Sequence, residues 1–105
     1  MTAQPEDSQF NDGLTNPAVA RCCDAWARAH QAAASSGKSH IGIRTDADQA
    51  YCRAMPPLSG LDNISDFIAC VTYGIVIGAI LGPTATRLLY AAQVAGSILK
   101  GKKTK

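Results

Sequence analysis

The sequence predicts an all-α fold, a small bundle of about four helices with a flexible acidic N-terminal arm and a basic C-terminal tail. Three observations carry that expectation. Apolar residues recur at spacings of three and four along most of the chain, the period of a helix with one buried face. Eighteen of the 105 residues are alanine, the residue that loses least on entering a helix. No segment alternates apolar and polar residues, and no Asn-Gly pair marks a hairpin. The length suits one domain.

Residues 1–15 are polar, with few apolar anchors, and read as the flexible arm. Glu6, Asp7 and Asp12 make it acidic. The first helix starts at Asn16-Pro17, a cap residue followed by a proline whose missing N–H costs nothing in the first turn. Val19, Cys22, Cys23, Trp26, His30 and Ala33 form its apolar stripe. Trp26 reads as a core anchor whose indole N–H needs an acceptor. Asp24 and Arg28 stand four apart as a favourable surface pair. Ser35, Ser36 and Gly37 end the helix.

A second helix is expected from about Ile41 to Met55. Ile43, Ala47, Ala50, Tyr51, Ala54 and Met55 lie on its buried side, and Arg44, Asp46, Asp48, Gln49 and Arg53 face water. Pro56-Pro57 stops it. The third helix follows Gly60, with Ser59 or Asp62 as its cap. From Phe67 onward, in FIACVTYGIVIGAILG, apolar residues occupy every face. A helix of that kind is central to a bundle or inside a membrane. A fourth helix runs from about Thr84 to Leu99, with Leu88, Ala92, Ala95 and Leu99 on its core stripe. The expected organisation is therefore an arm at 1–15, a helical domain at 16–100 and a tail at 101–105.

Gly74, Gly78 and Gly82 recur every four residues on the expected third helix. Each glycine in a helix interior costs roughly 1 kcal/mol relative to alanine, so a line of them suggests close helix packing or self-association. Leu89 and Ile98 extend that expected contact onto the fourth helix. Residues 67–86 carry no charge, the length of a membrane span, but Pro83 interrupts the run.

Catalytic and metal chemistry find little support. Cys22, Cys23, Cys52 and Cys70 include no CxxC pair, and with His30 and His40 they match no zinc-ligand spacing. The cysteines read as reduced thiols in a cytoplasmic setting, since no signal peptide opens the chain. Asp46 and Asp48 face different directions, and Asp62 and Asp66 read as charges at a helix start. No cofactor is expected. The net charge of +2 conceals four lysines at the end, Lys100, Lys102, Lys103 and Lys105, which offer a weak contact for anions.

The expectation from sequence is a non-enzymatic helical adaptor or inhibitor that binds another macromolecule and self-associates. Two alternatives stand beside it: a small membrane protein inserted through residues 67–82, and a nucleic-acid accessory protein that uses the lysine tail.

Overall fold

The structure, a computed structural model, describes residues 16–104, with side chains as far as Lys100. Among these residues the fold is an all-α bundle of four helices without strands: α1 (Pro17–Ser35), α2 (His40–Arg53), α3 (Leu61–Ile77) and α4 (Gly82–Thr104). The arm expected at 1–15 and Lys105 lie outside the described residues.

Local chemistry sets most of the boundaries. The Asn16 carboxamide oxygen accepts from the N–H groups of Ala18 (2.9 Å) and Val19 (3.2 Å), which satisfies two of the donors a helix start leaves open. Its Nδ2 donates to Asp66 at 3.3 Å and so ties the start of α1 to α3. At the other end Ser36 caps α1, and Gly37 takes φ 81°. Ser39, not expected as a cap, starts α2 by accepting from Gly42 N–H at 3.1 Å.

The start of α3 corrects an expectation. Neither Ser59 nor Asp62 caps it; Gly60 occupies the cap position and gives no side-chain bond. Ser59 instead accepts from Asn63 through its carbonyl, at 2.9 Å, and its hydroxyl. The end of α3 brings a larger correction. The helix stops at Ile77 because Gly78 adopts the left-handed conformation, φ 79° and ψ 11°. The N–H groups of Ala79 (2.8 Å) and Ile80 (3.2 Å) return to the Gly74 carbonyl, the closure typical of a glycine-terminated helix. Residues 67–82 are therefore the second half of a helix, a turn and the first residue of the next helix. No helix among the described residues is long and apolar enough to cross a membrane, and the uninterrupted span behind the membrane expectation is absent. The start of α4 also differs: it begins at Gly82 and places Pro83 in its first turn.

The helices pair as two hairpins. α1 lies against α2 and α3 against α4, while α1 and α3 form the main seam between the pairs. The core runs through Val19 and Cys22 on α1, Ala47 and Tyr51 on α2, and Ile64, Phe67, Cys70 and Val71 on α3. Ala79 and Ile80 in the turn, with Ala85 and Ala92 on α4, complete it. Alanines on each helix let the backbones approach closely, but each buries little apolar area.

α3 is the most buried of the four helices, with Ile64, Phe67, Cys70, Val71 and Gly74 inside, but it is not covered all round. Ile68, Ile75 and Val76 stay exposed because only α1, α2 and α4 are present to cover it, and all of them lie on its other sides.

Candidate functional site

The polar chemistry concentrates where the two hairpins meet. Trp26 donates its indole N–H to Asp48 at 2.9 Å, so Asp48 is half-buried rather than facing water as expected. Arg44 donates Nε to the same carboxylate oxygen at 3.1 Å and a terminal nitrogen to the Ile77 carbonyl at 3.0 Å. The guanidinium thus neutralises Asp48 and also meets the negative end of α3. It lies 5.8 Å from the centre of the Trp26 ring, within reach of a cation–π attraction. His30 stacks on the other part of this cluster, 5.0 Å from Trp26 at 28°. A Cβ on Gly78 would come within 2.8 Å of Arg44, so the glycine both turns the chain and leaves room for the cation. An open groove of about 330 Å³ lies beside Cys23, Trp26, Arg44, Tyr73 and Ile77. Each polar group of Trp26, Asp48 and Arg44 named above is engaged within the fold, and the cluster works as a joint between α1, α2 and the end of α3.

The glycine contact expected from sequence is divided among three roles. Gly74 is buried on α3, where a Cβ would meet Ile80 at 2.7 Å and Tyr51 at 3.0 Å. Gly78 terminates the helix. Gly82 opens α4, where a Cβ would find nothing within 4 Å. They do not line one helix, and the close approach serves the α3–α4 turn folding back on α3.

What remains open is apolar. On α4, Ala85 and Ala92 are buried, with Leu88, Ala95 and Leu99 partly buried beside them. At 100° per residue, Val94 lies about 200° around the helix from Ala92. Tyr90, Val94 and Ile98 therefore form a second stripe, nearly opposite the first; Tyr90 is 67 % and Ile98 55 % exposed. Leu89 flanks the packed stripe at 37 % exposure. On α3 the uncovered residues are Ile68, Ile75 and Val76, and Leu81 projects from the turn. Of the residues singled out for association, Leu89 and Ile98 thus lie on α4 surface, whereas Gly74 and Gly78 are committed to the fold. Tyr90 and Val94 complete the outer stripe, and neither was among the residues expected to associate. The four-residue interval from Tyr90 to Val94 and from Val94 to Ile98 was the available signal.

Lys100 is exposed near the end of α4. The helix continues through Thr104, so Lys102 and Lys103 belong to it rather than to a separate tail. Positive charge suits the C-terminal end of a helix dipole.

The four cysteines are thiols. Cys22 and Cys70, 48 residues apart, meet across the α1–α3 seam, with Cys22 donating to Cys70 at 3.6 Å. That bond, together with burial, raises the Cys22 thiol far above its ordinary value, and the same bond lowers Cys70. Burial pushes Cys23 and Cys52 up. Among the described residues no group of three or more His, Cys, Asp or Glu stands where it could hold a metal ion. No protein-family model, curated protein or solved structure matches the chain. The fold and its surfaces therefore define the class, a small all-α bundle of two helical hairpins, and carry the functional reading.

Proposed function

We propose that this protein is a non-catalytic helical binding protein that self-associates through the outer faces of α4 and α3. The observation that supports this most is the outer stripe of α4. A helix packed on one side normally turns charged and polar residues to the other, yet here Tyr90, Val94 and Ile98 share that side with Arg87 and Ser97.

Charge favours an antiparallel arrangement of two copies. Residues 82–104 contain Arg87, Lys100, Lys102 and Lys103 and no acidic residue. Side-by-side helices in parallel would bring the lysine ends together, whereas a two-fold antiparallel pair separates them. Such a pair also closes on itself, as an isologous contact does. Tyrosine suits an interface of this kind, since its ring buries while its hydroxyl reaches the rim.

Sedimentation velocity over a micromolar concentration series tests the proposal. The chain is expected to sediment as a dimer whose population falls on dilution. The triple substitution Tyr90→Ser, Val94→Ser and Ile98→Ser should give a monomer with an unchanged helical circular-dichroism signal. A chain that is monomeric throughout the series would refute self-association.

A second reading, an accessory role on nucleic acid, draws on the same absence of acid in α4. It predicts salt-sensitive binding of duplex DNA or RNA that disappears when Lys100, Lys102, Lys103 and Lys105 are replaced by glutamine.

A further inference from the structure

The geometry points to Cys22 and Cys70 as a covalent modification site, an intramolecular disulfide that locks the α1–α2 hairpin to the α3–α4 hairpin. Both side chains are fully buried, and their sulfurs stand 3.6 Å apart across the seam between the hairpins. A disulfide bond is about 2 Å long, so closure needs a further approach of about 1.5 Å. Rotation of both side chains about χ1 and a slight drawing together of two helices supply it. No other helix lies between them. The position is anchored on the Cys70 side, where the Tyr51 hydroxyl donates to the Cys70 carbonyl at 2.6 Å.

Sequence alone could not show this pairing. Cys22 has Cys23 as its neighbour, and nothing in the spacing prefers Cys70 to Cys52. The fold makes the selection: Cys22 and Cys70 are buried, whereas Cys23 and Cys52 are only partly so.

The oxidant fitting a buried pair is a small hydroperoxide, because a bulky disulfide such as oxidised glutathione cannot enter without unfolding the seam. The donated bond from Cys22 favours the thiolate at Cys70, which makes Cys70 the attacking sulfur. It takes the terminal oxygen of hydrogen peroxide, the O–O bond breaks, and Cys70 becomes a sulfenic acid while hydroxide leaves. The Cys22 sulfur then attacks the Cys70 sulfur and displaces hydroxide. The two protons from the thiols complete two water molecules. Both thiols are oxidised, peroxide is reduced, and no further reactant is required.

A bond at this place closes a long loop and removes conformational freedom from the unfolded chain. The oxidised protein should therefore resist denaturant more than the reduced one, and reduction should reverse the gain.

The test uses the full chain carrying Cys23→Ser and Cys52→Ser, which leaves the pair intact and removes competing thiols. After treatment of the folded protein with hydrogen peroxide, intact-mass analysis should show the loss of two hydrogen atoms. Peptide mapping without reductant should join the segments holding Cys22 and Cys70. The denaturation midpoint should rise and return on addition of dithiothreitol. The same treatment of the unsubstituted chain should give the Cys22–Cys70 link alone. Two outcomes overturn the inference: the folded variant keeps both thiols free after peroxide treatment, or the unsubstituted chain links Cys23 or Cys52 instead. Since the bond lies within one chain, either result is independent of whether α4 self-associates.

Discussion

Replacing Tyr51 by phenylalanine isolates one hydrogen bond in the core. Tyr51 is fully buried on α2 and donates at 2.6 Å to the Cys70 carbonyl on α3. That carbonyl also belongs to the α3 helical ladder, so removing the hydroxyl leaves no orphaned acceptor. The loss is then the net worth of one buried hydrogen bond, about 1 kcal/mol, with a small addition for the space the oxygen filled. For a domain of this size, about 1 kcal/mol corresponds to a fall of roughly 4–8 °C in melting temperature. Truncation to alanine is a different perturbation. It removes the ring between α2 and α3 at about 3–5 kcal/mol, comparable with the whole stability of a small domain. Thermal unfolding followed by circular dichroism measures both. Tyr73→Phe is the control, since that hydroxyl is partly exposed and takes no hydrogen-bond partner among the described residues; its effect should stay within about 0.5 kcal/mol. If Tyr51→Phe melts with the parent, or if Tyr73→Phe loses as much, the hydrogen bond does not hold α2 to α3 as argued.

Two further outcomes follow from the same core. Gly74→Ala should destabilise the chain by about 1–3 kcal/mol through overpacking against Ile80 and Tyr51, less the modest gain in helix propensity; Gly96→Ala, with open space around its new Cβ, should stabilise by up to about 1 kcal/mol, and urea midpoints compare the two. Alkaline pH should weaken the fold, because burial holds Tyr51, Cys23 and Cys52 above their ordinary values of 10.0 for the tyrosine and 9.0 for the thiols, whereas the shifts of the bonded pair Cys22 and Cys70 run in opposite directions. Tyr51, Cys23 and Cys52 each keep their proton to higher pH when folded than when unfolded, so the unfolded chain binds fewer protons above about pH 9 and stability falls from there upward. Tyr51→Phe should reduce the slope above about pH 10, and an equal slope in both proteins would remove Tyr51 as its source.

The parts of this fold legible in the sequence are those fixed by neighbouring residues. Asn16-Pro17 starts α1 because a side-chain acceptor and a missing donor act within one turn. Ser36-Gly37 and Pro56-Pro57 end helices for equally local reasons. The end of α3 was not legible in the same way. A glycine inside an apolar run reads alike in a helix interior and at a left-handed terminus, and what distinguishes the two is the return of Ile80 onto Gly74, a contact made in three dimensions. The signal that was present is the four-residue interval between Gly78 and Gly82-Pro83, the length of a short connection between helices. The half-buried place of Asp48 was not legible for a related reason. Its position marked it as solvent-facing, but pairing with Arg44 and the demand of Trp26 for an acceptor bring it into the joint. The meeting of Cys22 with Cys70 is a tertiary quantity with no trace in spacing.

The distribution of side-chain sizes on α4 bears on how the helix is held. Its packed side buries Ala85 and Ala92 fully and Leu88, Ala95 and Leu99 in part, while Tyr90, Val94 and Ile98 project outward. Alanine on the inner side permits a close approach to α3 but yields little on burial, whereas a Val or Ile side chain contributes about 1.5–3 kcal/mol when fully covered. Ordering each backbone residue costs about 1–2 kcal/mol, and the second half of a 23-residue helix meets that cost with few neighbours in a single chain. With apolar side chains on both stripes, α4 keeps a further share of apolar area at Tyr90, Val94 and Ile98 that a second surface would cover, and the self-association proposed above would add that burial to what the α3–α4 contact already supplies.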